Sequence, residues 1–217
     1  MGESKFSMKK YTLKDAKEKI DRAIFAFREL FNKILDQCES YNFHDNLLLA
    51  VCKRAIDVLE TIQYAVKKYN LNTLYPLMRL QIDSCLMLQG SLLYKDNNKF
   101  FSELTECKFQ LNNYKIPDTG ERMTERKLAE LLEVNYPGFL NTYKYCCDVV
   151  HFTGVSFDLA IRDVKFLSFK VSDEVGNKES RYKIQLYLDD LFNINEILLV
   201  MINKCRDEFL PYKDKGE

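Results

Sequence analysis

From Thr73 to Tyr94 the chain reads TLYPLMRLQIDSCLMLQGSLLY, and apolar side chains fall in almost every direction around a helix of that length. Leu77, Met78, Leu80, Ile82, Cys85, Leu86, Met87 and Leu88 leave no polar face of the kind a surface helix carries. A helix apolar all round is either enclosed by protein or spans a membrane. Arg79, Gln81, Asp83, Ser84 and Gln89 interrupt this one, which favours a buried central helix over a bilayer span. Pro76 is expected in its first turn, where the missing N–H goes unfelt. Arg79 and Asp83 lie one turn apart, with Gly90 on the same line, and would sit among apolar groups. Buried charges must be paired or hydrogen-bonded, so the pattern predicts an internal polar site.

The flanking segments predict the helices that enclose this one. Thr12 with Asp15 three residues later forms a capping box, Asp standing in for the usual Glu or Gln. Leu13, Ala16, Ile20, Ala23, Ile24, Phe27, Leu30, Phe31, Ile34 and Leu35 then keep helical spacing to about Glu39. On the opposite face Lys14, Lys17 and Lys19 are offset by Asp15, Glu18 and Asp21, which reads as solvated surface. After a polar break from Ser40 to Asn46, a second helix runs to Tyr69, and the short break at Asn70 to Asn72 sets it antiparallel to the central helix. Phe100 to Asn112 reads as helix, Ile116 to Met123 as loop, and Thr124 as the cap of a short helix, ERKLAELLEVN. Another helix follows from Pro137 to about Phe152, with Phe139, Tyr143, Cys146 and Val150 as its stripe and Gly154 as its stop.

Between Lys165 and Tyr187 the period changes to two. Phe166 to Val171 and Arg181 to Leu186 suit strands, joined by a polar connector containing Gly176 and Asn177, so a β-hairpin is expected. An isolated hairpin is marginal in water and should lie against the bundle or pair with another chain. The last helix runs from about Leu188 to Phe209, and the charged tail from about 212 to 217 reads as loose. The expected fold is mainly α: a single-domain helical bundle over 1–217, with long antiparallel helices and one β-hairpin inserted before the C-terminal helix.

Composition narrows the function classes. At 217 residues and 47% apolar the chain can bury one sizeable core. Lys plus Arg equals Asp plus Glu at 32 each, so no global field attracts nucleic acid or an anionic membrane, and a polyanion would need a local patch. Tyr64, Lys67, Lys68 and Tyr69 form one surface able to stack on or hold RNA. The opening segment, MGESKFSMKKYTLKDAKEKI, lacks the apolar core of a signal peptide. Seven cysteines without regular spacing then read as reduced thiols of a cytoplasmic protein. The sequence has no phosphate-cradling glycine loop, nucleophile elbow or dinucleotide fingerprint, and no cofactor is expected. Cys147 and His151 have metal-ligand spacing, but only distant cysteines or His44 could complete a site, so no metal is expected. Asp189 and Asp190, like Glu130 and Glu133, lack a companion His and read as helix surface.

His151 falls near a helix end, where the macrodipole favours its charged form. Asp148, Cys147 and Lys144 project to the same flank. One reading makes His151 a boundary residue hydrogen-bonded to a neighbour. In the other, that flank meets the central helix, and Arg79, Asp83 and His151 converge with Tyr143 nearby. Such clusters perturb pKa values, both at functional sites and in structural ion-pair networks.

A long helix, a second helix, an apolar helix with Arg79 and then Asp83, and finally Tyr143-x-x-Cys146-Cys147-x-x-Val150-His151 resembles uncharacterised bacterial helical-bundle proteins related to the HEPN superfamily. The resemblance covers roughly residues 45 to 155. That group commonly shows a Tyr, then a small residue four positions before a His, in the penultimate helix; here those are Tyr143, Cys147 and His151. The resemblance implies an α-helical bundle, often dimeric, and in many members a metal-independent ribonuclease of toxin, phage-defence or stress systems. Active members carry an Arg, four to six intervening residues, then His. This chain departs from that pattern: Lys144, Tyr145 and Cys146 stand where the Arg would precede His151, and Gln37, Cys38 and Glu39 where it would precede His44. The Arg would fork onto the scissile phosphate while His moves the 2′-hydroxyl proton, and Lys144 offers only a point charge. Arg79 would have to supply the fork from another helix.

Two function classes follow. One is a HEPN-like protein that binds or cleaves RNA, a homodimer, with Arg79, Asp83, His151, Lys144 and Tyr143 as candidate catalytic residues. The other is a non-catalytic module that binds a protein partner, whose Arg79-Asp83-His151 cluster specifies core packing and whose hairpin is the docking edge.

Overall fold

The computed structural model describes residues 12–37, 42–68, 70–151, 153–155 and 178–213. Within them run α1 (Leu13–Asp36), α2 (Phe43–Lys67), α3 (Leu71–Leu93), α4 (Asn98–Thr105), α5 (Glu125–Asn135), α6 (Phe139–Val150) and α7 (Lys178–Lys213), with a 3₁₀ turn at Leu111–Asn113. No described helix is long and apolar enough to cross a membrane.

Short polar side chains set the helix starts. Thr12 Oγ1 accepts from the Asp15 N–H at 3.1 Å while Asp15 Oδ2 accepts from the Thr12 N–H at 2.9 Å, the capping box expected there. At α2, α3, α4 and α5 the side chains of Asn42, Asn70, Asn97 and Thr124 accept from the N–H three residues on, without the reciprocal bond. Each contributes about 1 kcal/mol. Because Asn70 caps α3 and Leu71 and Leu74 are buried, that helix starts earlier than the sequence predicts, and Pro76 falls inside it rather than in its first turn. The start of α6 is built differently. Gly138 sits at φ +97°, which a Cβ would penalise, and the Glu133 carboxylate accepts from the N–H groups of Gly138 at 3.0 Å and Leu140 at 2.7 Å.

The central position expected for the apolar helix is the one α3 occupies. α1 and α2 are antiparallel, joined by Arg28 and Glu60 at 2.7 Å and by Gln63 and Asp21. α2 and α3 are antiparallel too, with Gln81 donating to the Ala55 carbonyl at 3.2 Å. α7 runs parallel to α3, Tyr187 meeting Tyr75, Asn195 meeting Gln81 and Cys205 meeting the Leu88 carbonyl. α6 runs antiparallel to α3, Tyr145 against Tyr75 and Tyr143 against Arg79. Leu74, Met78, Ile82, Cys85, Leu86 and Leu88 of α3 are thereby enclosed.

Two expected elements are corrected. Arg181 to Leu186, expected as the second strand of a hairpin, belongs to α7. In a strand Ile184 and Leu186 would share a face; here Ile184 is 2% exposed and Leu186 39%. Ile184, Tyr187, Leu188, Leu191 and Ile194 instead make one buried helical stripe. The other arm, Phe166 to Val171, lies outside the described residues. The helix expected over Phe100 to Asn112 stops at Thr105, where Cys107 takes φ +57° and turns the chain back. Phe109 and Tyr114 then pack on Phe100 at 4.9 and 5.1 Å between ring centroids.

Candidate functional site

Arg79 lies where α3 faces α5 and α6, and it is 9% exposed. One edge of its guanidinium is ion-paired with Asp83, one turn along the same helix. Nη2 donates to Glu125 Oε2 at 2.6 Å. Its Cζ lies over the Tyr143 ring, 4.8 Å from the ring centre. The other oxygen of Asp83 is 3.9 Å from Arg54 Nη2, so a second cation backs the pair from α2.

The surroundings set the protonation of this cluster. Burial, with a hydrogen bond to Cys147, pushes the Tyr143 phenol up to about 12, although Arg79 opposes the rise. Burial also raises the Cys146 thiol to about 12. Burial and the like charge of Arg79 both pull Arg54 below its ordinary value. At neutral pH, then, the phenol and the thiol are neutral.

The structure brings together Arg79, Asp83 and Tyr143 of the residues the sequence singles out, and adds Glu125 and Arg54. It leaves out the other two. Lys144 is exposed on α6 near Glu133, whose carboxyl is held low mainly by the N–H groups of Gly138 and Leu140 and slightly by Lys144. His151 is exposed at the C-cap of α6, two helical turns beyond Tyr143, a rise of about 12 Å along the axis. Since α6 opposes α3, that displacement carries it towards the start of α3, away from Asp83. Among the described residues no hydrogen bond or ion pair joins its ring to Arg79 or Asp83. Glu125, not His151, is the third member of the cluster around Arg79. Its only local signal was its position as the first residue after the Thr124 cap, where acids are favoured on any helix.

A second polar group lies beside the first. Tyr75 of α3 packs on Tyr145 at 4.8 Å and Tyr187 at 5.3 Å. The Tyr187 hydroxyl is fully enclosed and has no hydrogen-bond partner among the described residues. Asp190, expected on the surface, is partly buried, and burial followed by Asp189 pushes its carboxyl up to about 6. His44 is a core residue. Its ring packs 4.1 Å from Phe101 and 4.5 Å from Phe209, Nε2 donates to the Lys95 carbonyl at 3.2 Å, and burial keeps it neutral. The described cysteines are free thiols, and no three His, Cys, Asp or Glu among the described residues are grouped as metal ligands.

In comparisons with known proteins, no family model, curated protein or solved structure matched this chain.

Proposed function

We propose that this chain is a HEPN-like helical module that binds RNA without cutting it, in a stress or defence setting. The absence of cutting is carried by one observation, the occupation of Arg79. Nη1 is ion-paired with Asp83, Nη2 with Glu125, and Cζ lies over the Tyr143 ring. A phosphate could take those nitrogens only by displacing Asp83 and Glu125 and then lying beside their charges. His151, about 12 Å further along α6 by the helix rise, is too far to move a proton at a bond that Arg79 holds. Binding is supported by Tyr64, 68% exposed, with exposed Lys67 and Lys68 one turn on, so that an aromatic ring and cations share a face.

Incubation of the purified chain with total RNA in the presence of EDTA, beside Arg79→Ala and His151→Ala, tests this. All three should leave the RNA intact, and the wild-type protein should retard it in a native gel. Cleavage by wild type that is lost in His151→Ala would overturn the proposal, as would failure to retard RNA at low salt.

A further inference from the structure

Where the start of α1 meets the end of α2, the helices leave a cavity of about 340 Å³. Buried Ile20 and Val66 form its floor, and Leu13, Gln63, Lys14, Lys17 and Lys67 line the rest. That size is within the range of sites for small ligand groups. Lys17 is held by Asp21 at 2.6 Å and Lys14 lies 3.9 Å from Glu18. Lys67 lies beyond ion-pair distance of any described carboxylate but near enough to Asp21 to help lower its carboxyl, Lys68 makes no ion pair among the described residues, and Tyr64 stands one turn before them on the same face. An apolar floor under a cationic rim suits an anion that also carries a flat apolar group. The sequence ahead of Thr12, MGESKFSMKKY, has Lys5, Lys9 and Lys10 against a single Glu3. The same charge extends the cationic run in the sequence, which favours a polymeric anion over a small one.

We propose that this cavity and the adjoining Tyr64–Lys67–Lys68 face form a binding site for single-stranded RNA, with phosphates against Lys14, Lys67 and Lys68, one base over Ile20 and Val66, and the next stacked on Tyr64. The inference rests on the RNA-binding reading and gives it a location distinct from Arg79. The lysine face reads as ordinary solvated surface along α1 alone; the cavity exists only because α2 closes it from the other side.

Fluorescence anisotropy of a short labelled oligouridylate against the full chain, over a range of salt concentrations, tests the assignment. Each lost phosphate contact on a single strand flattens the slope of log affinity against log salt by about 0.7, so Lys14→Gln/Lys67→Gln/Lys68→Gln should flatten it by about 2. Tyr64→Ala should weaken binding roughly tenfold and leave the slope unchanged. Far-UV circular dichroism confirms that these surface variants are folded. If wild type binds and the triple lysine variant matches it in affinity and slope, the site is refuted while the RNA-binding reading stands. If wild type binds no RNA at the lowest salt, that reading falls and the site with it. Lysine-dependent binding of phosphatidylglycerol vesicles in place of the oligonucleotide would overturn the assignment to RNA.

Discussion

Replacing Arg79 with Ala takes one cation from between two carboxylates and from beneath a phenol ring. Removing one partner of a fully buried ion pair costs about 3–5 kcal/mol, because the remaining charge stays dry. Here the side chain of Arg79 is 11% exposed, but Asp83 is 31% and Glu125 55% exposed. Both carboxylates can therefore rehydrate, which brings the electrostatic loss down to about 1 kcal/mol. The buried Arg79 stem and its ring contact add about 1–2 kcal/mol through lost packing and cation–π attraction, for a total of about 2–3 kcal/mol. In a chain of this size that lowers Tm by roughly 5–10 °C. Glu125→Gln, changing the most exposed member, should lose less than about 1 kcal/mol. Urea unfolding followed by circular dichroism at neutral pH measures both. An Arg79→Ala variant within about 0.5 kcal/mol of wild type, the range of inconsequential surface changes, would refute the reasoning.

Three further outcomes are expected. Tyr187→Phe should raise stability by about 1 kcal/mol in the same urea assay, since it removes a buried hydroxyl that has no partner among the described residues. Asp190 has its folded pKa raised from 3.8 to about 6, so the folded state holds the proton more tightly and stability falls as pH rises between those values. Asp190→Asn should flatten that limb and, allowing for partial burial, gain roughly 1–2 kcal/mol at neutral pH, read from urea midpoints across pH. His44 is shifted the other way: burial lowers it below its ordinary 6.5, so its contribution is present above that value and is lost as pH falls through its folded pKa. His44→Leu should remove this acid-side loss, visible as a shallower fall in midpoint on acidification.

Elements whose signals are local were legible in the sequence. The Thr12–Asp15 capping box, the Thr124 cap and the apolarity of Leu77 to Leu88 each act within one or two turns; the caps are where the pattern places them, and the helix is central, although Leu80 is 36% exposed and Leu77 and Met87 are only partly buried. Arg181 to Leu186 was misread because six residues alternating polar and apolar satisfy a strand template. Extending the window to Tyr187, Leu188 and Leu191 restores the helical period that packs α7 on α3. The Arg79–Asp83 pair was visible for the same reason as the caps, being one turn apart on one helix. Glu125 was not: it comes from 46 residues away, and only the placement of α5 against α3 brings it to Nη2. His151 failed to join Arg79 because the spacing that puts Tyr143 on the ring contact carries His151 two turns further along α6, to its exposed end.

Arg79 braces three helices and holds no phosphate. The most direct test of this is the RNA affinity of Arg79→Ala, measured by anisotropy at a temperature where circular dichroism shows the variant folded. An affinity within about twofold of wild type is predicted, because phosphates meet the protein elsewhere. A loss of tenfold or more, about 1.4 kcal/mol of binding, would place Arg79 on the RNA and contradict the account.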